Sequence, residues 1–172
     1  MSRYSSKSLV ALGAAGILVA GCAGVTAPFR DADPRWADYE SWTRVTDEPS
    51  TGPSPGLGAV HKGPEGYRHV YVNDAGRDTI LGDGPYEYPE GTVIVKEQYD
   101  DLAALESGEG AEVTVSLKIA DVEGAGKDNW QWADSYKSSA GDSAFCSGCH
   151  SISLAEDFVF SNVAYLAEHK GE

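Results

Sequence analysis

The sequence predicts an α+β, β-rich fold: an antiparallel sheet with flanking helices and a C-terminal helix or loop that carries a cysteine–histidine motif. Three observations lead there. Four β-rich runs, Tyr67–Val72, Thr92–Glu97, Glu112–Ile119 and Asn129–Tyr136, are separated by turns rich in Gly, Asp and Pro. The third run alternates cleanly, with Val113, Val115, Leu117 and Ile119 on one face. Behind all four lies Cys146-Ser147-Gly148-Cys149-His150, 22 residues from the C-terminus.

Residues 1–21 carry Arg3 and Lys7 and then an apolar run from Leu9 to Ala20, too short and too rich in Gly and Ala for a membrane span. They read as a signal peptide. The run ends in Val19-Ala20-Gly21-Cys22, which resembles the lipobox of bacterial lipoproteins, so Cys22 is expected to become a diacylated N-terminus. The alternative is ordinary secretory cleavage nearby, with Cys22 left as an odd thiol. Either reading exports the chain to the periplasmic side. Acyl chains contribute ~0.8 kcal/mol per buried methylene, so the lipid would hold the protein on a membrane without spanning it. Ala23 in place of Asp, by resemblance to Gram-negative lipoproteins, favours the outer membrane.

Residues 22–33 read as a tether and residues 34–172 as one domain, large enough for its own core. The net charge of −14 falls by two more units when Arg3 and Lys7 are removed with the signal. Such acidity excludes nucleic acid and electrostatic adhesion to anionic lipid. It leaves basic partners or a solvated surface. Asp33-Pro34 supplies a helix cap and first-turn proline, and Trp36, Tyr39 and Trp42 follow at threefold spacing, so Pro34–Val45 is expected to be an amphipathic helix with a core-facing aromatic stripe. Glu48–Gly58 reads as a loop.

C-x-x-C-H carries the chemistry of a covalently attached c-type haem. Each thiol of Cys146 and Cys149 can add across a haem vinyl group, and His150 then meets one axial face of the iron. Zinc would want four protein ligands, and His61, His69 and His169 form no second Cys/His cluster. A redox-active disulfide would be expected beside a βαβ pattern. One haem c and one lipid account for all three cysteines, so no structural disulfide is expected.

Met1 is the only methionine, which excludes the His/Met ligation common in electron-carrier cytochromes. The sixth iron position is vacant, taken by water or a small ligand, or filled by His61, His69, His169, Lys or Tyr. His69 sits mid-strand on the face of Tyr67 and Tyr71, where a hydrogen-bonded sheet histidine is the simpler reading.

Tyr67-Arg68-His69-Val70-Tyr71-Val72-Asn73, Tyr88 to Glu97, Asn129-Trp130, Phe145 to His150 and Asp157-Phe158-Val159-Phe160 stand in an order that resembles the cytochrome P-460 and cytochrome c′-β family, over roughly His61 to Phe160. The resemblance implies a β-rich, commonly homodimeric fold around a five-coordinate haem with His150 as proximal ligand. In P-460 members a lysine at the position of Lys96 is bonded to a haem meso carbon, and those members oxidise hydroxylamine; c′-β members lack the bond and bind nitric oxide. Strand alternation places Lys96 with Thr92 and Ile94, and a surface lysine beside Glu97 is the other reading. An acidic distal residue has no secure counterpart: Ser116 falls near its place and Asp121 five residues on. Arg68 is a candidate for a haem propionate or distal contact, or an exposed strand arginine.

The function expected is an exported, membrane-anchored mono-haem cytochrome that binds or oxidises small nitrogen ligands at an open iron. The alternative is an electron-transfer cytochrome, or a haem subunit of a membrane-associated respiratory complex, with a redox partner protein.

Overall fold

The computed structural model describes residues 31–45 and 67–163. The signal, Cys22, the tether up to residue 30, the Glu48–Gly58 loop, His61 and His169 lie outside the described residues. The sheet has five strands in the order β1-β2-β3-β4-β5, every neighbouring pair antiparallel. They are β1 (Thr43–Arg44), β2 (Arg68–Val72), β3 (Val93–Gln98), β4 (Glu112–Lys118) and β5 (Trp130–Ala133). All four expected runs are present as β2 to β5. The last is shorter than its sequence run, because after Ala133 the chain turns and returns Gly141 to pair with Trp132.

Pro34–Val45 is not the expected α-helix. It forms successive turns, a 3-10 turn at Tyr39–Ser41, and then the edge strand β1. The threefold aromatic spacing suits a 3-10 period better than 3.6. Bonds from Trp36 N to Asp33 O and from Ser41 N to Asp38 O have that i to i−3 pattern. Thr43, Arg44 and Val45 then bond to the open edge of β2. The aromatic stripe does enter the core: Trp36 and Tyr39 are buried, and Trp36 Nε1 donates to Tyr136 O at 2.9 Å.

Among the described residues, three short α-helices decorate the sheet: α1 (Asp74–Leu81), α2 (Leu102–Ser107) and α3 (Ala144–His150). Each has a side-chain N-cap, Asn73 accepting from Gly76 N, Asp101 from Ala104 N and Ser143 from Cys146 N. Asn73 also stitches α1 to β3, accepting from Val93 N and donating to Gly91 O. Gly76 lets α1 lie flat on the sheet, since a Cβ there would come within 2.4 Å of Thr92 Cγ2.

Strand alternation divides the interior into two cores. On one face Val93, Val95, Val115 and Leu117 pack with Trp36 and Tyr39. On the other, Val70, Val72 and Ile94 pack with Tyr88, Trp130, Trp132 and Phe158. The second face receives α3, with Cys146 against its apolar cluster.

Candidate functional site

A cleft of about 260 Å³ opens between α3 and the second face of the sheet. One wall carries Cys146, Cys149 and His150. The other carries Ile94 and Lys96 from β3, with Thr114 and Ser116 from β4. The helix explains the first wall: residues three and four apart share a helical face, so Cys146, Cys149 and His150 are presented together. Strand register explains the second, because Ile94 stands opposite Ser116 and Lys96 opposite Thr114.

The His150 imidazole is fixed in one tautomer and one orientation. Its Nδ1 lies 2.6 Å from the carbonyl oxygen of Phe158, which can only accept, so Nδ1 carries the proton and Nε2 keeps its lone pair. Burial pushes its pKa down to about 4, which leaves the imidazole neutral at physiological pH. Trp132 and Phe160 hold the ring at centroid distances of 5.8 and 5.3 Å.

Lys96 has its pKa lowered to about 7, first by burial and then by the positive charge of Arg68. A substantial share of its amine is therefore neutral near pH 7. Burial raises the Cys149 thiol. Trp132 lines the cleft and is 7% exposed, and its buried Nε1 has no hydrogen-bond partner among the described residues.

Cys146, Cys149, His150, Lys96 and Ser116 thus meet at one cleft. Arg68 stands on the same sheet face, two pairs further along than Val70 and Lys96, and burial lowers its pKa; it acts on Lys96 by charge and is not among the residues that line the cleft. Asp121 is exposed beyond the end of β4 and lies away from the cleft wall. His69 points to the opposite face, where its Nδ1 meets Glu97 Oε2 at 3.3 Å, as a hydrogen-bonded sheet histidine.

Two carboxylates on the cleft wall, Glu112 and Asp134, escape sequence reasoning, as do Thr114 and Trp132. In β4 the residues between Val113, Val115 and Leu117 are Glu112, Thr114, Ser116 and Lys118, and an alternating polar face ordinarily means solvent. Here Glu112, Thr114 and Ser116 of that face line the cleft.

The residues present fit a haem. Two thiols sit at vinyl-reactive spacing, a neutral imidazole offers Nε2, and an orphaned indole N–H can donate to a polar group at the cleft. Sheet, C-terminal motif helix and cleft together define a haem-binding cytochrome. The cytochrome P460 family model matches residues 36–161, and the chain belongs to that family, whose members carry haem. No curated protein matches the chain.

Proposed function

We propose that this chain is an exported, lipid-anchored cytochrome with one haem c, whose open iron face binds or oxidises small nitrogen compounds such as nitric oxide or hydroxylamine. The observation that carries this reading is the meeting of Cys146, Cys149, His150 and Lys96 around a single cleft. Addition of the Cys146 and Cys149 S–H bonds across two vinyl groups forms the thioethers with no net oxidation. Bound haem would supply an iron that exchanges electrons and takes a small ligand. His150 would hold the metal through Nε2, with Nδ1–H anchored on Phe158 O.

Lys96 brings an amine that is neutral enough near pH 7 to react at the haem edge or to reach a propionate. A bond from Nζ to a macrocycle carbon replaces one N–H and one C–H, releases two electrons and so requires a two-electron oxidant. The hydroxyls of Thr114 and Ser116 can hydrogen-bond a polar ligand, and the carboxylates of Glu112 and Asp134 can accept protons that an oxidised substrate releases. The resemblance also supports a homodimer, which sedimentation of the intact protein tests.

Optical spectra of the ferric and ferrous protein, with and without nitric oxide, test the open site. Ready binding of nitric oxide to a high-spin ferrous form is the expected result. A low-spin spectrum in both oxidation states, refractory to added ligand, would favour the second reading, electron transfer. One observation favours that alternative: Phe145, Ile152 and Leu154, which flank the motif, are 69%, 68% and 63% exposed and could dock a redox partner.

A further inference from the structure

Two successive non-glycine residues adopt left-handed backbone conformation just after the haem motif, Asp157 at φ 50° and Phe158 at φ 68°. This region is sterically costly for residues with a Cβ and persists only where the surroundings impose it. The surroundings here are specific. Asp157 Oδ2 accepts from Lys118 Nζ at 2.6 Å and from Tyr88 N at 3.1 Å, while Oδ1 accepts from Trp130 Nε1 at 3.2 Å. Lys118 is 3% exposed, and its ammonium lies 5.1 Å from the centre of the Trp130 ring. Phe158 N donates to Ser153 O at 2.8 Å, closing the turn from the other side.

The carbonyl that this turn presents is the one His150 Nδ1 meets at 2.6 Å. We infer that Asp157, clamped by Lys118, Trp130 and the Tyr88 N–H, is a positioning residue that aims the Phe158 carbonyl at His150 and so sets how strongly that histidine donates to iron. The inference rests on the reading of His150 as the iron's protein ligand. A short bond from Nδ1–H to a fixed acceptor raises the basicity of the imidazole, strengthens its bond to the metal and favours the ferric state. The clamp lies on β4, β5 and the segment before β3, so the sheet itself holds the acceptor in place. None of its side chains needs to touch the haem.

The experiment uses the haem-loaded protein, with Asp157→Asn and the double variant Asp157→Gly/Lys118→Met. The glycine tolerates positive φ, and the paired methionine leaves no stranded ammonium in the core, so the double variant removes the clamp without imposing strain or a buried charge. Resonance Raman of the ferrous protein reads the iron–histidine stretch, and spectroelectrochemistry reads the midpoint potential. The clamp requires a lower stretching frequency and a more positive potential in the double variant, with a shift of the same sign in Asp157→Asn. Wild-type values in both variants would overturn it. So would a shift confined to Asp157→Asn, which would assign the effect to the stranded Lys118 charge. Absence of any iron–histidine band in the wild type would instead remove the His150 assignment, and the clamp with it.

Discussion

Replacing Glu97 with glutamine tests whether the side of the sheet away from the cleft is held by one carboxylate. Glu97 is 6% exposed and accepts from Tyr39 OH at 2.7 Å, Tyr99 OH at 2.9 Å, and Tyr71 OH and His69 Nδ1 both at 3.3 Å. Hydrogen bonds to a charged group contribute about 1.5–3 kcal/mol each. Glutamine keeps one acceptor oxygen and puts an NH2 in the other position, so both short bonds lose their charge assistance and the hydroxyl opposite the NH2 must turn from donor to acceptor. Relief from burying a charge offsets part of that loss. The expected net destabilisation is about 2–4 kcal/mol, or roughly 10 °C in midpoint temperature for a domain of this size. Single deletions should rank by geometry: Tyr39→Phe, which removes the 2.7 Å bond, should cost more than Tyr71→Phe, which removes a longer one in a partly buried setting. Far-UV circular dichroism of the haem-loaded protein during thermal and urea unfolding measures all three. A Glu97→Gln protein within about 0.5 kcal/mol of wild type would refute the argument, because that is the scatter of an ordinary surface change. So would the reverse ranking of the two tyrosines.

The same cluster predicts alkaline behaviour. Burial, reinforced by Glu97, holds the Tyr39 and Tyr99 phenols above their ordinary range and pushes Tyr71 up to about 12. The folded chain therefore keeps protons that the unfolded chain releases above about pH 10. Stability should be fully present below that pH and fall as pH rises from 10 towards 12; a flat profile over that range would contradict it. Acid–acetone extraction should leave the haem colour with the polypeptide, and partition into the organic phase would rule out thioethers at Cys146 and Cys149. Proteolysis with mass spectrometry should recover one haem shared by the Lys96 and Cys146/Cys149 peptides; a free Lys96 peptide would leave it as an unbonded neighbour of the haem edge. Cys22→Ser should move the mature protein from the membrane to the soluble fraction, whereas retention of the variant through a high-salt wash, with no lipid on the wild type, would count against the anchor.

The strands β2 to β5 were legible because a two-residue period is written in the side chains, most plainly at Val113, Val115 and Leu117. β1 was not, since two residues carry no period and Thr43–Arg44 become a strand only by meeting the edge of β2. α1 was hidden by its own composition: Asp-Ala-Gly-Arg-Asp-Thr lacks helix propensity, and the helix depends on its Asn73 cap and on Gly76 against Thr92. At the site, the motif could be read because Cys146, Cys149 and His150 are local in sequence. Lys96 was reached through resemblance, as one alternating residue among several. Glu112 and Asp134 needed the fold, because nothing in a polar position distinguishes a residue that lines a cleft from one that faces open water.

Lys96 and Glu97 are neighbours in sequence, yet they face opposite sides of one strand, the amine towards the motif helix and the carboxylate towards three phenols and an imidazole. The strand thus has a parity. A deletion of one residue within the Pro89–Thr92 approach to β3 would invert it, driving an ammonium into the buried place of the carboxylate and a carboxylate into the cleft. Neither side could accept the exchange. The tyrosine cluster thereby fixes the parity of β3 for the other face as well: with Glu97 held among the phenols, the residue presented to the cleft is the lysine.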